Sequence, residues 1–208
     1  MKKIIFSDAY GLTTAVIQGT KTRTWRKIPN SVIESYNDLY EYDELVPQGT
    51  RDNDFSKFAL AYAPYKVGEK VAVSQCYRYI YCQEPAERLS EEYSMWFLKQ
   101  RGLTDTKGWK NKMFVKADLM PHQIEITGIT IQKCQDLTDE QCFAEGIYAE
   151  QTPYSYDEPQ IELFWFCGSR HGFDSPLEAF GELLDRTCGK GTFDANPYGF
   201  AIDFKLIK

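Results

Sequence analysis

The chain is poor in the arrangements on which most catalytic centres are built. Of its 208 residues only two are histidines, His122 and His171. No C-x-x-C pair accompanies them, so a zinc site is not expected. The six cysteines, Cys76, Cys82, Cys134, Cys142, Cys167 and Cys188, read as reduced thiols acting mostly as small buried hydrophobes. There is no Gly-rich phosphate loop, no nucleophile elbow and no H-E-x-x-H. Neither a metal nor a cofactor is therefore expected. No apolar stretch approaches the length of a bilayer, and the opening run to Asp8 is too short and too charged for a signal peptide. These absences predict a soluble, cytoplasmic protein with no membrane partner. Positive charge is not in excess either. The formal net charge of -6 argues against broad electrostatic binding to nucleic acid, but leaves room for a local basic pocket.

What is present is core material. Hydrophobic residues make up 43% and aromatics 15%, enough for one domain spanning 1–208 with insertions at about 30–57, 84–110 and 149–174. A short strand over 2–6 is expected, then a helix from Ser7 or Asp8 to Gln18, ended by Gly19. Thr20 to Ile28 reads as an extended segment entering the interior. Residues 31–45 read as a surface helix and loop, Phe58 to Tyr62 as a short strand, and Tyr65 to Ser74 as a turn and strand continuing through Tyr77, Tyr79 and Tyr81. Ala86 to Gln100 has a helical pattern. Residues 121–135 are the clearest strand, with a bulge at Gly128. Thr138 and Gln141 have the spacing of a capping box, and Gly146 stops that helix. Residues 149–174 read as irregular, Pro176 to Arg186 as a helix, and Asn196 to Lys208 as a closing strand with Phe200, Ile202, Phe204 and Leu206 on one face. Short strands with helices between them predict an α+β fold, a compact mixed barrel or curled sheet with flanking helices.

Two groups of residues could carry chemistry. From Ala9 to Val32 there is no acid, while Lys21, Arg23, Arg26 and Lys27 give a local charge of +4 in an acidic chain. Strand alternation puts Lys21 and Arg23 on one face and Thr24 and Arg26 on the other, so a twist or bulge is needed to unite Lys21 with Thr24. On spacing alone a solvated basic turn is the favoured reading. Glu145 lies at a helix end, where a carboxylate opposes the macrodipole; on that ground alone an ordinary surface glutamate is the simpler reading.

Taken together, the segments resemble the ASCH family of PUA-like proteins. Gly19-Thr-Lys-Thr-Arg-Thr-Trp-Arg26 is similar to its G-x-K-x-x-T-x-R motif. Tyr65 to Glu69 looks like its turn, Ile124 to Ile147 with Ala144-Glu145-Gly146 like its strand–helix–EG segment, and Asn196-Pro197 with Phe200 to Lys205 like its closing strand. Asn111-Lys-Met-Phe114 is similar to a longer subgroup frequent in bacteria and their phages. The resemblance implies a PUA-like mixed β-barrel with a cleft, binding RNA or a modified nucleoside at a limited site. It implies ligand binding by Gly19, Arg23, Trp25 and Arg26, with Trp25 or a tyrosine stacking on a base. Some small members are amidohydrolases acting on N4-acetylcytidine. Their catalytic lysine, threonine and glutamate correspond to Lys21, Thr24 and Glu145, which makes deacylation of a small amide the alternative expectation.

Overall fold

The longest apolar alternation builds the centre of the molecule. In a computed structural model, which describes residues 1–41, 50–82, 99–100, 102, 104, 106–151 and 161–207, a strand over Gln123–Lys133 pairs antiparallel with the C-terminal strand Tyr198–Leu206. The register shifts between Ile126 and Gly128. Ile126 and Ile129 are an odd number of residues apart and would otherwise point to opposite faces. The extra residue lets Ile124, Ile126, Ile129 and Ile131 all serve one core. Phe200, Ile202 and Phe204 meet them from the neighbouring strand, while Ala201 faces the other way.

In chain order the described elements are β1 (Lys2–Ile4), α1 (Leu12–Ile17), β2 (Arg23–Lys27), α2 (Asn30–Glu41), α3 (Arg51–Leu60), β3 (Lys70–Val73), α4 (Tyr77–Cys82), β4 (Gln123–Lys133), α5 (Asp139–Ala144), β5 (Tyr148–Gln151), β6 (Glu162–Trp165), α6 (Pro176–Cys188) and β7 (Tyr198–Leu206), with short 3-10 turns between α4 and β4 and after β4. The fold is mixed α+β. Five strands form one sheet in the order β1-β3-β4-β7-β2, with β1 and β3 parallel and the other pairs antiparallel; β5 and β6 form a separate hairpin. One core joins the sheet to Val16, to Val32 and Tyr36 of α2, and to Phe55 and Ala59 of α3. A second core places Trp25 and Ala201 against Cys142 of α5 and Phe180, Leu183 and Leu184 of α6. Each fully buried branched side chain contributes roughly 1.5–3 kcal/mol relative to exposure.

The expected barrel does not close. β1 is three residues long and, among the described residues, pairs only with β3, while β2 pairs only with β7. The chain between them is spent on a turn and α1. Where a closed barrel would have a backbone ladder, a side chain crosses instead: Arg26 Nη2 donates to the Ile5 carbonyl at 2.7 Å. Four local expectations also give way. The first helix starts only at Leu12, after a left-handed Gly11, and neither Ser7 nor Asp8 caps it. Part of the stretch expected to be irregular, 149–174, pairs as the hairpin of β5 and β6. Phe58 to Tyr62 is not a strand but the end and exit of α3, because Phe55, Phe58 and Ala59 recur at helical spacing on the core. The tyrosines after Ser74 do not extend β3. They lie in α4, where Tyr77 is buried and its hydroxyl accepts from the Lys116 N–H at 2.9 Å. Most of the helical pattern from Ala86 to Gln100 lies outside the described residues. Among the described residues no helix is long and apolar enough to cross a membrane.

The cores make a prediction about thiols. Cys134 and Cys142 are buried, and burial pushes their thiols up to about 11 and about 12. Cys167 and Cys188 are exposed. Since the thiolate is the reactive form, brief native alkylation at pH 8 should label Cys167 and Cys188 and spare Cys134 and Cys142, as read by peptide mass spectrometry. Equal labelling of Cys142 would contradict this packing.

Candidate active site

The chain reaches the site through a helix stop. Gly19 follows the last turn of α1 at φ 75°, a conformation glycine adopts freely. Its N–H donates to Val16 O and that of Thr20 to Ala15 O, the paired bonds of a Schellman motif. Lys21 N–H also returns to Ala15 O, and Thr22 N–H donates to Ala144 O at the end of α5. Lys21 therefore belongs to the turn and not to β2, so the alternation that would separate it from Thr24 does not begin until Arg23.

Glu145 is placed by α5. Thr138 and Gln141 form the expected capping box, and Glu145 is the C-terminal cap. A carboxylate there is unfavourable for the dipole, and Lys21 compensates. Its Nζ donates to Glu145 Oε2 and to the Glu145 carbonyl, both at 2.6 Å. The two side chains are only 1% and 5% exposed, which makes this a buried pair and not a surface one. Burial drives the Lys21 ammonium below its ordinary value; Glu145 opposes that shift and the nearby Arg26 charge adds to it. Burial also raises the Glu145 carboxyl, against the pull of Lys21. Both directions bring the ion pair and the neutral amine–acid pair closer in energy. Glu145 Oε1 is buried and makes no hydrogen bond of full geometry, while the Trp25 backbone N–H lies close enough to the carboxyl to favour its charged form.

Above this pair opens a cleft of about 680 Å³, in the gap between the two sheet edges. Thr24 and Arg26, on one face of β2, line it together with Lys21 and Glu145. One wall is apolar, from Phe180, Leu183 and Leu184 of α6, with Thr187 and Cys188 at its end. The opposite side carries Asn111, Lys112 and Met113. Lys112 Nζ donates to the Phe6 carbonyl, to Asp8 Oδ1 at 2.7 Å and to Thr13 Oγ1 at 3.1 Å. Lys3 Nζ holds the same loop by the carbonyls of Met113 and Val115, at 2.6 and 2.7 Å. Asp8 and Lys112 had no signal in spacing, because their partners are about a hundred residues away in sequence.

The remaining expected site residues are not brought into the cleft in the roles assigned to them. Gly19 is exposed and terminates α1. Arg23 makes a two-pronged contact with Asp203 at 2.7 and 2.9 Å. Trp25 borders the cleft, but its indole is buried in the second core, with Nε1 donating to Gln132 O at 3.0 Å. It offers no free face for a base to stack on. A second depression of about 410 Å³, lined by residues such as Tyr10, Gln18 and Tyr148, contains no charged group. Among the described residues no cluster of three or more His, Cys, Asp or Glu side chains could hold a metal ion. No protein-family model, curated protein or solved structure matches the chain.

Proposed function

We propose that the cleft is the active site of an ASCH-type amidohydrolase that cleaves a small acylated amide of the nucleoside class, N4-acetylcytidine being the test substrate. The observation that carries this reading is the buried Lys21–Glu145 pair on the cleft floor. A buried ion pair contributes little net stability compared with apolar residues of the same size. Its presence at the base of an open cleft has a simpler explanation in chemistry than in packing. The open, curled sheet is read here as a PUA-like domain whose two edges are parted by the ligand cleft.

Transfer of one proton along the 2.6 Å contact turns the ion pair into a neutral amine and a carboxylic acid. Neutral Lys21 then takes the proton of the Thr24 hydroxyl as its oxygen attacks the amide carbonyl. The C–N bond breaks as Glu145 protonates the leaving nitrogen, giving free amine and an acyl ester on Thr24. Water attacks the ester, with its proton returning through the same pair, and releases the carboxylic acid. Overall one water is consumed, and no oxidant or metal enters the balance.

Thr24→Val keeps shape and removes the nucleophile. It should leave the melting temperature nearly unchanged and lower acetate release from N4-acetylcytidine by at least about 100-fold. Release at the original rate would remove Thr24 from this role. RNA binding at a limited site is the weaker reading: Arg26 and Lys27 at the cleft favour it, and the buried indole of Trp25 disfavours it.

A further inference from the structure

Most charges around the cleft cancel in pairs. Lys21 faces Glu145, and Lys112 faces Asp8. All three hydrogens of the Lys112 ammonium are engaged, by Phe6 O, Asp8 Oδ1 and Thr13 Oγ1. Arg26 is different. Among the described residues its one hydrogen bond goes to the neutral Ile5 carbonyl, and no carboxylate lies within ion-pair distance of it. Its Nε is shielded from solvent and has no acceptor. Two other arginines with comparable surroundings do have anions: Arg23 grips Asp203, and Arg186 grips Glu182 at 2.8 Å. Arg26 is also held in place, with Ile5 O taking one prong and the guanidinium carbon 5.9 Å from the centre of the Phe6 ring. A planar donor fork, oriented and lacking an anion, matches the two oxygens of a carboxylate or phosphate. Lys27, exposed at the same cleft, adds charge of the same sign.

We propose that Arg26 is an oxyanion anchor, and that the ligand of this cleft carries a phosphate or carboxylate group which docks on the Nη donors that Ile5 leaves free, while the rest of the ligand faces Lys21 and Glu145. This deepens the hydrolase reading by making an anionic form the preferred substrate, of which the neutral nucleoside is a poorer but competent analogue, and it rests on that reading only for what happens after binding. The anchor restores to Arg26 the partner that Arg23 and Arg186 already have. It also offsets the repulsion between Arg26 and the Lys21 charge when that lysine is protonated.

The test is a titration of the full ¹⁵N-labelled chain, followed at the Arg26 Nε–H resonance, which is assigned by its absence in Arg26→Lys. Inorganic phosphate and acetate are the two probes, each compared with sodium chloride at equal ionic strength. The expected result is a saturable downfield shift with at least one probe and none with chloride; which probe acts tells phosphate from carboxylate. Backbone amides of the cleft should then report affinity at least about tenfold weaker in Arg26→Met. The proposal is overturned if neither probe moves the wild-type resonance beyond the chloride control, or if a folded Arg26→Met binds the probe as tightly as before. The wild-type titration decides the matter even if Arg26→Met does not fold. No turnover is involved, so anion binding without hydrolysis sinks the hydrolase reading alone, and hydrolysis of a neutral amide without anion binding sinks this one alone.

Discussion

Lys21→Met is expected to destabilise the protein by about 3–5 kcal/mol, because it leaves the Glu145 carboxylate buried and unpaired. The magnitude follows from position. The Lys21 side chain is 1% exposed and the Glu145 side chain 5%, so water cannot replace the lost partner. Glu145→Leu should cost a similar amount, since it strands the ammonium. The double variant Lys21→Met/Glu145→Leu removes both charges and refills the space with apolar side chains. Its stability should return to within about 1 kcal/mol of the original or exceed it. Urea denaturation of the four proteins completes the cycle, with a coupling energy of several kcal/mol between the two sites. Simple additivity of the two single losses would show that Lys21 and Glu145 do not meet. A pair that can be replaced without loss of stability is one whose presence calls for a functional explanation.

The second large effect is remote from any charge. A Cβ at Gly199 would lie 2.1 Å from Trp25 Cε2 and 2.4 Å from Cζ2. Trp25 is 5% exposed, sits between Thr24 and Arg26, and packs into the core formed with α5 and α6. It has no room to retreat. Gly199→Ala should therefore cost about 3 kcal/mol, at the upper end of overpacking effects, and should disturb the cleft through β2. The Trp25 Nε1–H signal, fixed by Gln132 O, should shift in the folded fraction. An unchanged denaturation midpoint would mean that Trp25 does not lie across Gly199.

How far the sequence discloses this arrangement differs from element to element. The capping box at Thr138 and Gln141, the stop at Gly19 and the bulge at Gly128 are local devices, and each is found where its residues indicate. Phe58 to Tyr62 misleads because a short apolar run fits either period; only the continuation back to Arg51 and Phe55 reveals a helix. Tyr77, Tyr79 and Tyr81 alternate like a strand, yet Tyr77 is fixed by the Lys116 N–H, a partner far along the chain. For the cleft, the basic cluster is visible, but the division of labour within it is not. Arg23 and Arg26 look alike in sequence, and the difference between them is Asp203, supplied by β7 to Arg23 alone. The union of Lys21 with Glu145 spans 124 positions. It depends on a turn that postpones strand alternation, so no periodicity discloses it. The barrel expectation fails for a related reason: pairing between β1 and β2 is decided by the path of α1 and by the crossing of Arg26 to Ile5, not by the strands themselves.

We propose that the Lys21–Glu145 pair serves catalysis and not folding. The most direct measurement is acetate release from N4-acetylcytidine by the wild-type chain and by Lys21→Met/Glu145→Leu, each at a temperature where urea denaturation shows it fully folded. Turnover is expected from the wild type and none above background from the equally stable double variant. Absence of turnover in the wild type, or the same rate in both, would contradict that proposal.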